Sequence, residues 1–431
     1  MLSLRQSLDI GCPKVNSIYS ALLTAFAHFS KLLVGFLLLK LVSFYLGAEG
    51  LGRLGHFMSL LTILSILAGG GILNGVIKYV AEYRSHPLKL VGFVSSAASY
   101  SLIFAVLLFG LGVIFSRPIA EIIFGDTQLY PYIIALALAQ VGFAFTNLVI
   151  GVGNGLGQNH IYARIQVIGS LLALPLCWAL VANWGVEGAI LGLICSLLVT
   201  IFPAIFFCLR AQITRHVRIS IPSKSNFRKL FSFTLMLITS AIAFPVVEIL
   251  VRQHLIDTSG YREAGLWQAA TRLSSAYVGL FSVFLAYWFM PIISAEKSWL
   301  VIRHQVFRIM LFTAIVFFLG AAVFYAWRAF FITVLLSNDF LYLKDIFIYQ
   351  LVGDFFKVNA YVIGFVVVAK AVTGIYIGAE FLQSLLFLSF AILLEKFYVG
   401  AQGVMMGYSI TYFFYFLVCL VVFLVVTRRA S

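Results

Sequence analysis

Runs of about 20 or more apolar residues recur along the whole chain, separated by short polar stretches. An α-helix needs a run of this length to cross the hydrocarbon core of a bilayer. Charged residues make up only 10% of the chain and hydrophobic residues 62%, whereas a soluble domain carries about 25% charged residues on its surface. The sequence therefore predicts an all-α, polytopic membrane protein.

We predict about twelve membrane-spanning helices in two halves of six. Their expected ranges are 17–46, 54–80, 90–115, 129–151, 161–182, 186–209, 229–251, 264–291, 304–327, 346–369, 372–394 and 400–426. A basic stretch containing Pro222 divides the chain near its middle. We accordingly expect an N-terminal lobe over 1–213, a cytoplasmic linker over 214–228 and a C-terminal lobe over 229–431.

Glycine-rich turns repeat between the two halves. The stretch 183–189 aligns with 398–404 at an offset of 215, and Gly192 then matches Gly407. At an offset of 210 three further pairs match: Gly50 with Gly260, Gly55 with Gly265, and Phe57 with Trp267. Because six helices return each half to the side from which it started, the pattern predicts a parallel repeat.

The formal charge of +14 is unevenly distributed over the predicted loops. Alternate loops place 17 Lys and Arg against three acids on one side of the membrane, and seven against nine acids on the other. Since cytoplasmic loops carry the excess of Lys and Arg, we place the first side and both termini in the cytoplasm. The basic excess thus indicates topology, and we expect no nucleic-acid partner.

Charged residues inside the predicted spans are the candidates for function, because each costs about 2.5–3.5 kcal/mol at mid-helix and usually faces a cavity or a partner. The cations are Lys31, Lys40, Lys78, Arg272 and Lys357, and the acids are Glu248, Asp354 and Glu380. Five cations against three acids predict a positively charged cavity, suited to a phosphate or an acidic sugar. Lys31 and Arg272 have no partner in their own helix, so we expect them in a water-filled anion site.

Simpler structural roles are open for the other charges. Lys40 lies near the predicted outer face, where a long side chain can extend to the interface. Two pairs have the i,i+4 spacing of intrahelical ion pairs: Lys78–Glu82 and Glu248–Arg252. Asp354 and Lys357, three residues apart, could neutralise one another.

Neither a catalytic constellation nor a metal site is visible in the sequence. The seven His are scattered, without HxxxH or HExxH spacing, so we predict no metal and no cofactor. The glycine-rich stretch 151–157 is similar in composition to a phosphate-binding loop. It follows a membrane helix rather than a strand, however, which argues against that function.

Several motifs are spread over nearly the whole chain. They are AGGGI at 68–72, SFTLM at 232–236, GLWQ at 265–268, LLSNDF at 335–340, QLVGD at 350–354 and KVNAY at 357–361. Together they resemble the Wzx-type flippases, in particular the lipid III flippases of enterobacterial common antigen, within the multidrug/oligosaccharidyl-lipid/polysaccharide exporter superfamily. The residues AATR at 269–272 depart from the lipid III pattern, so an O-antigen repeat unit stays an open alternative to lipid III.

The resemblance implies two six-helix lobes around a central cavity in a bacterial inner membrane. It implies an undecaprenyl-diphosphate-linked oligosaccharide as substrate, turned to the periplasmic leaflet by alternating access. Implied partners are membrane lipids and, further, the polysaccharide polymerase and the chain-length machinery. Substrate-binding candidates are then Lys31, Arg272, Lys357, Lys78 and Lys40, and proton-coupling candidates are Asp354, Glu380 and His28.

Two other classes of protein are alternatives. A drug/cation antiporter of the same superfamily would need a net acidic cavity for cationic drugs, whereas the first span carries His28 and Lys31. A membrane polysaccharide polymerase or glycosyltransferase would need a sizeable catalytic loop outside the membrane. The longest outer segment, 328–345, carries no acid–base pair beyond Asp339 and Asp345 beside Lys344.

Overall fold

A computed structural model describes residues 17–210, 223–370 and 372–429, with the side chains at 17–29, 31, 159, 236, 239, 240, 287 and 429 left aside. Within these ranges it contains fourteen α-helices and no strand. The helices are α1 (Ser17–Leu67), α2 (Leu73–Tyr83), α3 (Pro87–Ile114), α4 (Ser116–Phe124), α5 (Tyr130–Gly155), α6 (Asn159–Val199), α7 (Ile201–Arg210), α8 (Lys224–Phe284), α9 (Met290–Ala295), α10 (Trp299–Ala326), α11 (Arg328–Leu335), α12 (Leu343–Ala369), α13 (Thr373–Glu395) and α14 (Ala401–Arg429).

The longest helices fold back on themselves and cross the membrane twice. In the described part of the chain, eight stretches are long and apolar enough to span a bilayer, and two of them are 51 and 52 residues long. A straight helix of that length would measure about 75 Å at 1.5 Å per residue, more than twice the ~30 Å core. α1, α6 and α8 instead break at Gly47, Gly185 and Gly260. With these breaks the described helices make the twelve predicted crossings.

Four tight turns on one side of the molecule, which we call the turn side, depend on glycine. Gly47, Gly185, Gly260 and Gly400 have φ of 63°, 55°, 85° and 88°, a region that residues with a Cβ rarely adopt. Each turn joins two antiparallel helices or helix arms. Gly185 and Gly400 are 215 residues apart, which is the predicted offset of the repeat.

The other predicted repeat pairing is wrong by three residues. Gly47 and Gly260 are the residues with positive φ in the first and third of these turns, so the true offset is 213 and Gly50 has no turn role. At that offset Gly52 pairs with Gly265. These two glycines lie where the second arms of α1 and α8 cross.

Two predicted span boundaries are also corrected. The span expected at 54–80 begins directly after Gly47 and is interrupted at Ala68–Gly70 by a 3-10 turn, because Gly69, Gly70 and Gly71 all have positive φ. The span expected to end at 251 continues as helix to Gly260, since its charged residues lie on the helix rather than in a loop. The linker predicted at 214–228 falls mostly outside the described residues, so that domain boundary stays a prediction.

The crossing of the two second arms leaves no room for a side chain. A Cβ on Gly265 would lie 1.7 Å from the carbonyl oxygen of Ala48, and one on Gly52 2.0 Å from that of Tyr261. We expect Gly265→Ala to destabilise the protein by about 1–3 kcal/mol or more, the usual cost of overpacking, and to lower its melting temperature in detergent. Gly279→Ala, on the same helix with nothing within 4 Å of its Cβ, is the control. Equal melting temperatures would contradict this account of the crossing.

Candidate functional site

A buried arginine lies between the two lobes. Arg252, on the first arm of α8, is only 1% exposed. Its guanidinium donates to Ser59 Oγ at 3.1 Å and to Gln268 Oε1 at 2.6 Å, and it lies 5.2 Å from the ring centroid of Trp267. Because Ser59 belongs to α1, Arg252 joins the two lobes.

This environment corrects two predictions about Arg252. The span predicted at 229–251 ends just before it, but α8 continues past Arg252 and buries it. It was also spaced to pair with Glu248, yet no ion pair links the two among the described side chains, because the guanidinium turns towards Ser59 and Gln268. A Cβ at Gly55 would lie 2.4 Å from Arg252 Nε, so that glycine provides the space for the guanidinium.

Arg272 lies one helical turn after Gln268, on the same face of α8. Among the described side chains it has no hydrogen-bond or ion-pair partner, and its Nε is buried and unpartnered. Glu248 on the first arm is near enough to act on it electrostatically. A half-buried guanidinium with unused donors is suited to binding an anion such as phosphate.

A second polar cluster lies inside the C-terminal lobe, around the fully buried Asp354 of α12. Its carboxylate accepts hydrogen bonds from Ser274 Oγ at 2.8 Å and from the hydroxyl of Tyr277, both on α8. Tyr408 of α14 donates at 2.7 Å, and Gln350 Nε2 lies 3.4 Å away. Neutral donors from three helices therefore satisfy a carboxylate that would be costly to bury without hydrogen bonds.

Lys357 reaches Asp354 only through Tyr408. Its ammonium donates to the Tyr408 hydroxyl at 3.1 Å, and that hydroxyl donates to the carboxylate. Direct neutralisation of the pair is therefore not found, because a tyrosine from α14 lies between the two charges. Four ring centroids surround the ammonium at 4.9–5.9 Å, those of Phe244, Tyr361, Tyr408 and Tyr412.

Glu380 lines a cleft of about 570 Å³ bounded by α12, α13 and α14. Tyr376, one turn earlier, hydrogen-bonds to its carboxylate, and Lys357 is near enough to act on it electrostatically. Tyr361, which contributes to the ring cage of Lys357, also lines the cleft. The cleft thus connects to Asp354 through Lys357 and Tyr408.

The structure places the other predicted site residues away from these clusters. Lys40 donates to the carbonyl oxygens of Thr333, at 2.8 Å, and Leu336, where a cation satisfies the last carbonyls of α11. Lys40 therefore caps α11 on the turn side, and its substrate-binding role stays a prediction. Lys78 is exposed, 5.2 Å from the ring centroid of Tyr79, and forms no ion pair with Glu82 within the described chain.

The side chains of His28 and Lys31 lie outside the described set, so their roles stay predictions. Sequence reasoning missed Ser274, Tyr277 and Tyr408, because most tyrosines of a membrane protein belong to interfacial belts. The sequence feature that could have identified two of them is position: Tyr277 and Tyr408 lie well inside their spans, whereas interfacial tyrosines lie at the ends.

Comparison with known proteins adds the following findings. The chain matches the family described as Polysaccharide biosynthesis protein over residues 18–296. It is 34% identical over 415 residues to the lipid III flippase of Escherichia coli (strain K12), which covers 95% of this chain and 99% of that protein. The lipid III flippase of Shigella flexneri is equally similar. These relatives confirm the resemblance seen in the sequence motifs.

Solved structures confirm the fold. The chain is similar to the lipid II flippase MurJ in an inward closed conformation, with a TM-score of 0.73 at 17% identity over 94% of this chain and 87% of that one. It is also similar to the inward-facing conformation of a multidrug resistance MATE family transporter of the MOP superfamily, with a TM-score of 0.68 at 14% identity over 94% and 96%. The predicted all-α architecture of two six-helix lobes agrees with both.

Proposed function

The chain belongs to the polysaccharide biosynthesis protein family and is a multi-pass transporter rather than an enzyme, and we propose that it flips an undecaprenyl-diphosphate-linked oligosaccharide across the bacterial inner membrane. The observation that carries the proposal is Arg272, a half-buried guanidinium whose Nε is buried and unpartnered among the described side chains, in a chain 34% identical to a lipid III flippase. A diphosphate offers the charged acceptor oxygens that such a side chain binds most strongly. Lipid III and an O-antigen repeat unit are both compatible with this site.

The central barrier to flipping is the passage of a polar head group through about 30 Å of hydrocarbon. A cavity between the lobes with Arg272 exposed to water removes most of that barrier, because the diphosphate exchanges hydration for charge-assisted hydrogen bonds. Arg252 and Arg272 make the region between the lobes cationic, which disfavours the cationic drugs of the alternative antiporter.

Alternating access requires the lobes to separate first on one side and then on the other. On the turn side, Asp339 accepts from the backbone N–H of Ala48 at 2.7 Å, and Ser337 Oγ donates to the Ser43 carbonyl at 3.1 Å. On the opposite side, Lys229 donates to the Tyr83 hydroxyl at 2.7 Å. These are the contacts that we expect to break in turn during the cycle.

Proton coupling is proposed for Asp354, with Glu380 as the second carboxylate and His28 as a further candidate. Asp354 is buried but connected to the Glu380 cleft through Tyr408 and Lys357. A diphosphate that draws Lys357 away would remove the cation nearest to Asp354 and favour proton uptake there. Substrate and proton would then favour one another's binding, as linkage requires.

We propose the polysaccharide polymerase and the chain-length machinery as partners, which would act on the product in the periplasm.

The proposed orientation has both termini in the cytoplasm. Loops near Lys89, Lys224 and Arg303 should then be cytoplasmic, and loops near Asp126, Thr258 and Asp339 periplasmic. We expect single cysteines at the second set alone to react with a membrane-impermeant thiol reagent, in a Cys-free background. Periplasmic labelling at position 224 would show that the protein has the opposite orientation to the one proposed.

Removal of the gene tests the function in cells. We expect a deletion strain to lose one surface glycan and to accumulate its undecaprenyl-diphosphate-linked precursor. Mass spectrometry of that precursor would identify the glycan. The plasmid-borne wild-type chain should restore export. A strain that keeps every surface glycan and accumulates no precursor would contradict the proposal.

A further inference from the structure

An apolar groove of about 770 Å³ lies between the second arm of α8 and α10. Its floor includes Leu351 of α12, and Phe331 of α11 lies at one end. Along α10 the lining extends from Phe312 to Phe324, about 18 Å at 1.5 Å per residue. Among the described lining residues, the hydroxyl of Tyr277 is the one polar side-chain group.

The groove is open towards the bilayer. Leu280 on one wall and Leu319 on the other are 53% and 60% exposed. Half of the fourteen lining residues are aromatic, and the ring of Tyr277 packs 6.0 Å from that of Phe317 at the base. A hydrocarbon chain in this groove would contact polarizable rings on several sides, which favours dispersion contacts.

We propose that the groove binds the isoprenoid chain of the substrate while the head group occupies the cavity between the lobes. This inference rests on the proposed function. The two sites lie at neighbouring depths on α8: Tyr277 follows Arg272 by five residues, about 7.5 Å along the helix and about 140° around its axis. One molecule would therefore pass around this helix to reach both sites. The branched, unsaturated isoprenoid chain also fills a wide, ring-lined groove better than a single straight acyl chain does.

Tyr277 gives the groove a connection that a site for bulk lipid would not need. Its ring lines the groove, and its hydroxyl donates to Asp354. A chain that shifts this ring also changes the hydrogen bonding of the buried carboxylate. Occupancy of the groove and the protonation of Asp354 are thereby linked, and the linkage acts in both directions. Bulk lipid would fill the groove throughout the cycle, so its presence could not link substrate binding to the protonation of Asp354.

Photo-crosslinking tests occupancy directly. A benzophenone side chain is placed at Leu319, inside the groove, or at Phe318, which is 68% exposed on the same helix but outside the lining. The full chain is reconstituted in phosphatidylethanolamine and phosphatidylglycerol vesicles with radiolabelled undecaprenyl diphosphate. We expect about tenfold more labelled adduct at position 319, which corresponds to a preference of about 1.4 kcal/mol over bulk bilayer. Equal labelling, or adducts at 319 that carry phospholipid instead, would overturn the proposal.

Filling the groove tests its role in transport. Gly320 lines the groove, and nothing lies within 4 Å of a Cβ placed on it, so the side chain of Gly320→Leu starts in open space and fills part of the groove. We expect about tenfold weaker transport, through a higher KM, together with loss of the adduct at 319. Gly110→Leu on α3, where a Cβ also meets nothing within 4 Å, should behave as wild type.

The crosslinking and transport experiments together distinguish a failure of this inference from a failure of the proposed function. If Gly320→Leu transports substrate as the wild type does and still forms the adduct at 319, the groove does not bind the isoprenoid chain. The proposed flippase function would be unaffected by that result. A wild type that moves no undecaprenyl-linked substrate refutes the flippase function, while the crosslinking at 319 still decides whether the isoprenoid chain binds.

Discussion

Replacing Arg272 with alanine is expected to abolish glycan export while the amount of protein in the membrane stays near normal. Hydrogen bonds to charged groups are worth about 1.5–3 kcal/mol each, so the loss of two to a diphosphate lowers export by a factor of about a hundred or more. The fold should tolerate the change, since Arg272 has no hydrogen-bond partner among the described side chains to leave unsatisfied. Immunoblots of the surface glycan and of the protein measure the two quantities.

Matched variants sharpen this test. Arg272→Lys keeps the charge but not the fork of donors, so we expect partial export. Arg117→Ala removes an exposed arginine that lies over the ring of Tyr130, and export should be unchanged. Lys31→Ala should resemble Arg272→Ala if Lys31 shares the anion site, whereas Lys40→Ala should cost only the cap on α11. Normal export by both Arg272→Ala and Lys31→Ala would rule out the anion site.

Asparagine in place of Asp354 is expected to eliminate substrate-driven proton movement. The amide has the shape of the carboxylate but cannot take up a proton, so transport would lose its coupling even where the substrate still binds. Proteoliposomes with an internal pH-sensitive dye measure the proton flux that follows addition of a lipid-linked oligosaccharide. Tyr408→Phe, which removes the hydroxyl between Lys357 and Asp354, should weaken the response rather than abolish it.

Glu380→Gln separates the two carboxylates. If Glu380 exchanges protons with Asp354 from its cleft, the glutamine variant should slow the flux without changing its dependence on substrate. If Glu380 is itself the carrier, the flux should disappear in Glu380→Gln and persist in Asp354→Asn. Flux that survives both substitutions leaves the proposed mechanism without a proton carrier.

The membrane-spanning architecture could be predicted from the sequence because its signals are local. Apolar runs set the spans, and glycine marks the turns: Gly185 and Gly400 occupy equivalent turns at the predicted offset. The helix breaks were placed less well. The charged residues around Arg252 gave this part of α8 the composition of a loop, whereas tertiary packing keeps it helical and buries the arginine against Trp267.

The partners of the buried charges depend on contacts that sequence spacing does not contain. Asp354 and Lys357 were identified as candidates by their depth, but helix spacing suggested that they would meet directly. Tyr408, more than 50 residues away on α14, lies between them. Lys40 was ambiguous for the same reason, since the carbonyls that it caps belong to α11, almost 300 residues further along the chain.

Flipping by the purified protein tests the central claim most directly. The protein is reconstituted into vesicles that carry an undecaprenyl-diphosphate-linked oligosaccharide on the outer leaflet, and a membrane-impermeant glycosidase measures how much of the glycan stays accessible. We predict that the accessible fraction falls with time in wild-type vesicles and stays constant in Arg272→Ala vesicles. An accessible fraction in wild-type vesicles that matches protein-free vesicles would contradict the claim that this chain is a lipid-linked oligosaccharide flippase.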